Sequence, residues 1–329
     1  MTSKENSNNG SNGRSGGRSN RKARRGGAAA AGRVLHIVTA PVRSGRSDQS
    51  ARAKGVLLII GGHEDRTGDK LILRHLAERV GSGKLVVMTA ASQVPDEVYG
   101  EYEPLFRGLG VKHVARLDVE SRQEAKSERK LRALDEATAV FFTGGDQLKL
   151  TSQLGDTPIY ERVREIYLRG GTIAGTSAGA SVVCETMLVS GNGTESPKVR
   201  SSLRMAPGFG LIQGVIIDQH FAERGRIGRL LAAVAQNPRI LGIGIDEDTA
   251  IVCEPDGRFR VLGSGAVCVA DGADVTYSNL AEEDPDRVLS VFGVRLFQLS
   301  MGDEFDLATR TATSRPADEV EEELVEEGG

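Results

Sequence analysis

The chain has 329 residues, with 42 Lys and Arg against 45 Asp and Glu, for a formal net charge of -3. That length holds one substantial α/β domain, and the near-balance of charge excludes whole-surface attraction to nucleic acid or an anionic membrane as an organising principle. Cys184, Cys253 and Cys268 are odd in number and widely spaced, which excludes a disulfide framework and a CxxC zinc site and predicts buried free thiols in a reducing compartment.

Residues 1–54 are rich in Gly, Ser, Asn and Arg and are read as a disordered basic tail, because they offer too little apolar surface to offset the entropy of ordering. No apolar run reaches membrane-spanning length, so a cytoplasmic location and no membrane partner are expected. The pair Arg24-Arg25 leaves a twin-arginine export signal as the alternative. The folded part is expected from Gly55, opening on the aliphatic run Val56-Leu57-Leu58-Ile59-Ile60 that ends in Gly61-Gly62, the pattern of a strand buried on both faces of a parallel sheet.

Helical periodicity follows over 71–80, then a strand over 84–89, a helix over 97–109, a strand over 111–117 and a helix over 121–134. A strand over 139–143 runs into Gly144-Gly145, and a helix covers 159–168. Strands alternating with helices predict right-handed crossovers and an α/β fold, a mostly parallel sheet flanked by helices with function at the carboxyl ends of the strands. After Gly242 the texture changes to short alternating segments around 250–253, 258–262 and 266–269, predicting an antiparallel extension near the C-terminus rather than a second domain. The tail from Asp318 to Glu327 is mostly acidic and reads as solvated.

The segment Gly171 to Ala180 contains Gly175-Thr176-Ser177-Ala178-Gly179, a short strand entering a G-x-S-x-G turn. Small residues beside Ser177 permit a strained turn that aims its hydroxyl at a helix amino terminus, where free N–H groups can hold an oxyanion. A serine nucleophile needs a base, and there are five histidines. His36 lies in the tail, His75 sits in a helical pattern as a surface or boundary residue, and His113 borders a strand. His63 follows the first Gly-Gly and is the alternative base. His220 lies just past the end of the strand read at 215–218, which makes it the first choice. A Ser-His-acid order then fits Asp246, Glu247 and Asp248 at the end of the strand 241–245, and by spacing any of the three could orient the imidazole.

Together GTSAGA (175–180), FTGGDQ (142–147), DQHF (218–221), RxRxGRL (224–230) and GIDEDTA (244–250) resemble the serine peptidase family of cyanophycinases and aspartyl dipeptidases. The resemblance covers about residues 55–299 and leaves both tails unexplained. It implies a class I glutamine amidotransferase-like fold and a catalytic domain over 55–301, and residues 302–329 are read from their charge as an acidic C-terminal tail. Carried over, it implies Ser177, His220 and Glu247 as the triad, the backbone N–H groups of Ala178 and Gly145 as the oxyanion hole, and Gln147, Asp218, Gln219, Arg224, Arg226 and Arg229 as the substrate-binding residues.

The implied substrate is cyanophycin, a polyaspartate with arginine on each side chain, cut to β-Asp-Arg dipeptides through an acyl-enzyme with no cofactor and no metal; the implied assembly is a homodimer. An aspartyl or β-aspartyl dipeptidase with the same triad is the alternative. A binding protein driven by its basic tail, through which nucleic acid could be touched, is a second. An amidotransferase role is disfavoured because that fold's glutaminases carry cysteine where Ser177 stands. His63-Glu64-Asp65-Arg66 departs from what can be placed in the family's chemistry and is read as a loop that supports the active edge, since consecutive side chains diverge too far to chelate a metal.

Overall fold

The computed structural model describes residues 54–190, 203–281 and 287–315. The expectations for the basic tail, His36 and the acidic stretch from Asp318 fall outside these residues. In chain order the elements are β1 (Val56–Ile60), α1 (Leu71–Val80), β2 (Lys84–Met88), α2 (Pro95–Gly108), β3 (His113–Leu117), α3 (Glu128–Leu131), β4 (Ala137–Phe142), α4 (Gln147–Leu154), α5 (Pro158–Leu168), β5 (Thr172–Thr176), α6 (Ala178–Ser181), β6 (Thr186–Ser190) and β7 (Arg204–Pro207). They continue with β8 (Val215–Gln219), α7 (Ile227–Gln236), β9 (Leu241–Ile245), β10 (Thr249–Cys253), β11 (Arg258–Gly263), β12 (Val267–Asp271), β13 (Tyr277–Ser278), β14 (Val291–Phe292), β15 (Arg295–Leu299), β16 (Glu304–Asp306) and β17 (Thr311–Thr313). No helix among the described residues is long and apolar enough to cross a membrane.

The main sheet has the order β17-β16-β11-β10-β1-β5-β4-β2-β3. From β1 to β3 the pairings are parallel, and from β1 through β10, β11, β16 and β17 they are antiparallel. The α/β class and the antiparallel extension are therefore those expected. Successive side chains of a strand point to opposite faces, and β1 shows what this does. Leu57 and Ile59 join one core with Phe142, Ile173 and the buried face of α5, while Val56, Leu58 and Ile60 join another with Leu73, Leu76, Tyr102 and Phe106 of α1 and α2. Because both faces are covered, the strand must be apolar throughout.

Four differences from the sequence expectations stand out. β8, β9, β12 and β15 form a separate sheet, so the segment near 266–269 leaves the extension that β10 and β11 build. The expected helix over 121–134 is broken by Ser127, whose φ of -74° and ψ of 121° are extended, leaving only 3-10 turns around α3. The sheet also extends beyond residue 302 through β16 and β17, past the boundary set for the acidic tail. His75 is buried rather than at the surface, because it shares the inner face of α1 with Ile72 and Leu76.

The topology positions the site. β4, β5 and β1 are neighbours, so the turns after them, at Gly144-Gly145, Ser177 and Gly61-Gly62, open side by side at the carboxyl edge of the sheet, where α/β sheets gather ligands. α4 begins beside this edge, its N-cap Asp146 side chain accepting from Leu148 N at 2.8 Å and Lys149 N at 3.3 Å.

Candidate active site

Ser177 takes φ 53° and ψ -109°, a backbone conformation that costs a non-glycine residue on the order of 1–3 kcal/mol and persists only where its surroundings hold it. Its amide donates to Ile60 O at 3.1 Å, and its carbonyl accepts from Ala180 N and Ser181 N, both at 3.1 Å. The flanking glycines are steric requirements: a Cβ on Gly179 would lie 2.8 Å from Phe142 Cβ, and one on Gly175 would press on the backbone of Gly179.

Ser177 Oγ lies 2.9 Å from His220 Nε2, and His220 Nδ1 lies 2.7 Å from Glu247 Oε1. An imidazole bonded on one side to a hydroxyl and on the other to a carboxylate can take the hydroxyl proton while the carboxylate fixes its tautomer. His220 is 3% exposed. Burial lowers its pKa from the ordinary histidine value, outweighing the opposite pull of the Glu247 hydrogen bond, and Arg224 and His63 add to the lowering. The shift favours the neutral ring, the state a base requires.

Three consecutive carbonyls hold the segments that carry these groups. Ile60 O accepts from Ser177 N, Gly61 O accepts from His220 N at 2.9 Å, and Gly62 O accepts from Asp248 N at 2.9 Å. His220 and Asp248, like Ser177, have positive φ, 48° and 46°. The end of β1 is therefore a scaffold for strained backbone from three distant parts of the chain, a role that inspection of residue types alone had missed.

Among the three acids left open by spacing, the structure separates the partners. Asp246 accepts from Ala222 N at 2.9 Å and Ala266 N at 3.1 Å, and Asp248 accepts from Asp65 N at 2.8 Å and Ser264 Oγ at 2.7 Å. Only Glu247 of the three faces His220. The alternative base, His63, flanks this pair: its Nε2 is 3.9 Å from Glu247 Oε1 and its ring meets that of His220 edge-on at 5.3 Å.

The loop after His63 braces the elbow from behind. The side chain of Glu64 is fully buried, accepting from Thr176 Oγ1 at 2.6 Å and from the Tyr102 hydroxyl. Asp65 accepts from the amides of Lys70, Gly68 and Thr67, which lowers its pKa to about 2. The loop reading of His63-Glu64-Asp65-Arg66 placed this support at the active edge, and the structure shows that Glu64 is the residue within it that reaches Thr176 and Tyr102.

The Gly144-Gly145 turn lies against Ser177, since a Cβ on Gly144 would sit 3.5 Å from Ser177 Cβ. Gly145 is exposed at φ 141°, and a Cβ there would come within 2.5 Å of Ala91 C, so only glycine fits. Ala178 is the first residue of α6, placing its N–H at a helix start. Gln147, on the first turn of α4, donates to Leu188 O.

Asp218 is buried with its carboxylate held by Arg229 Nε at 2.6 Å, by Arg229 Nη2, and by Arg226 Nη1 at 3.1 Å. Arg226 also donates to the backbone and side-chain oxygens of Gln219. Burial lowers the Arg226 pKa to about 10 against the pull of Asp218. One carboxylate faces two guanidiniums, so the group carries surplus positive charge, and Arg224 stands exposed nearby. Thus five of the six expected substrate residues have partners within the protein, and Arg224 reaches solvent.

Residues 56–261 match the model of peptidase family S51. The chain belongs to peptidase family S51. Members of this family are serine-type peptidases, and the chain is a peptidase of that type. It is 43% identical over 262 residues to a cyanophycinase of Trichormus variabilis, covering 78% of this chain and 87% of that protein. It is 41% identical over 264 residues to a cyanophycinase of Synechococcus elongatus, covering 79% and 82%, and 39% identical over 259 residues to one of Geminocystis herdmanii, covering 77% and 94%. Its fold is similar to the crystal structure of a peptidase from an acI-B1 Actinobacterium, with a TM-score of 0.58 at 22% identity, covering 78% of this chain and 98% of that one.

Proposed function

We propose that this S51 peptidase degrades cyanophycin, with Ser177 as nucleophile, His220 as general base and acid, and Glu247 as the group that orients the imidazole. The observation that carries the reading is the continuous chain of hydrogen bonds from Ser177 Oγ through His220 to Glu247. The similarity to cyanophycinases over most of the chain supports the substrate.

His220 Nε2 takes the Ser177 proton as Oγ attacks the carbonyl between successive units. The oxyanion that forms faces the N–H groups of Ala178 and Gly145, donors worth most where charge develops. The leaving amine takes the proton from His220, and water repeats the sequence on the acyl-enzyme, releasing β-Asp-Arg. The positive surplus around Arg226 and the exposed Arg224 suit the free carboxylates of the polymer, since guanidinium forks pair with carboxylates in two-pronged fashion. The Asp218 carboxylate is already saturated by Arg226 and Arg229, so its part is to hold them, and Gln147 and Gln219 line the same edge.

Product analysis after incubation with purified cyanophycin tests this. β-Asp-Arg released by the wild type and not by Ser177→Ala is the expected result. An intact polymer alongside cleaved Asp-Xaa dipeptides would instead mark a dipeptidase.

A further inference from the structure

Among the described residues, one group of three potential metal-binding side chains assembles, and it lies at the edge of the site: His63, His220 and Glu247, with one donor atom from each within 4.8 Å of the others. They come from three separate segments, so the objection that neighbours in sequence diverge does not apply. His63 is 71% exposed in its side chain and Glu247 28%, which leaves an approach from solvent. His63, 3.9 Å from Glu247 and edge-on to the His220 ring, has no use in the hydrolytic mechanism.

We propose that these residues form an inhibitory zinc site. Zinc–ligand bonds of about 2.0–2.1 Å at tetrahedral angles put donors about 3.3 Å apart. The His220 Nδ1 to Glu247 Oε1 separation of 2.7 Å must open and the His63 Nε2 to Glu247 Oε1 separation of 3.9 Å must close, each by about 0.6 Å, and the two imidazole donors, within 4.8 Å of each other, must reach the same spacing by movement of His63. The first follows from removing the proton between the two atoms, and the second is within the reach of an exposed side chain. Two imidazoles and a carboxylate are a donor set that zinc accepts, with water as the fourth ligand.

The consequence is a change of tautomer. In the resting site the single proton of neutral His220 sits on Nδ1, bonded to Glu247, and Nε2 is free to accept from Ser177. Zinc takes the Nδ1 lone pair, so the proton must reside on Nε2, and the proton count of the ring is unchanged. Nε2 can then no longer remove the hydroxyl proton. Inhibition rests on the hydrolytic reading above, whereas zinc binding itself does not.

The test titrates zinc sulfate into the metal-free full chain, following binding by competition with a chromogenic zinc indicator and hydrolysis by product release. The expected result is one zinc per chain, a rate that falls in step with occupancy, and recovery on adding a chelator. His63→Ala should weaken zinc binding by about tenfold or more, at least what loss of an outer partner of a metal ligand costs, and should shift the inhibition curve equally, each variant being compared with its own zinc-free rate. Ser177→Ala should bind zinc as the wild type does, because the hydroxyl is no ligand in this site. Equal zinc affinity in wild type and His63→Ala, loss of binding in Ser177→Ala, or full occupancy with an unchanged rate would overturn the proposal. If the chain fails to cleave cyanophycin, the binding arm still decides on the zinc site.

Discussion

Gly62 leaves the His220 imidazole space that no other residue could leave, since a Cβ built on it would sit 2.7 Å from Nε2. Its φ of 109° adds backbone strain to that overlap for any L side chain. Gly62→Ala is therefore expected to push the ring away from Ser177. A misplacement of about 1 Å at reacting atoms can cost on the order of 10²-fold in rate, so kcat should fall by that amount with little change in KM. Steady-state kinetics on a soluble substrate would measure it.

Glu247→Gln preserves shape and removes the charge that fixes the tautomer. An amide in the equivalent place of a serine peptidase triad lowers kcat by about 10⁴-fold, and a similar fall is expected here. A variant within tenfold of wild type would show that another acid orients His220.

The lowered pKa of His220 sets the acid side of the pH profile. The base must be neutral, and burial moves its titration below the ordinary histidine value of 6.5. The acid limb of kcat/KM should accordingly fall off below pH 6.5, with activity retained above it. A limb centred above 6.5 would mean that the Glu247 bond outweighs burial.

His75 links stability to pH at a place remote from the site. Neither of its ring nitrogens has a hydrogen-bond partner among the described residues, and burial, aided by Arg79 and Arg260, lowers its pKa from 6.5 to about 4. The unfolded chain binds this proton first as pH falls, so stability is intact above 6.5 and declines toward 4. The loss is on the order of 3 kcal/mol. Urea midpoints across that range should show it, and His75→Leu should flatten the slope.

Asp218→Ala tests the buried ion group. Removing the carboxylate leaves Arg226 and Arg229 facing each other, and uncompensated buried charge costs about 3–5 kcal/mol. Denaturation of the variant should report a loss of that size. A variant with wild-type stability and only a raised KM would instead point to direct contact with substrate.

Much of this architecture is legible in residue order. The unbroken aliphatic run of β1 and the small-residue turn at Ser177 announce a doubly covered sheet and a strained turn at its edge, and the meeting of Ser177, His220 and an acid there follows from where strands end. The rest depends on contacts that sequence spacing does not carry. α4 buries only Leu150 and Leu154, too short a stripe to show helical periodicity. Glycines within β9 look like weakness, yet Gly242 and Gly244 make room for Leu230 and Phe221, which is how the second sheet packs. His75 falls on a buried helix face that its polarity argued against. The choice among Asp246, Glu247 and Asp248 rests on which backbone amides the other two satisfy.

Because Ile60, Gly61 and Gly62 present their carbonyls in succession to Ser177, His220 and Asp248, the neighbour of Glu247, the three segments that carry the site share one anchor and one fate. Fraying of the last turn of a single strand would disband the whole ensemble at once, well before the two cores melt. Catalytic competence and global integrity are thus separable properties of this molecule, and the former hinges on three peptide units.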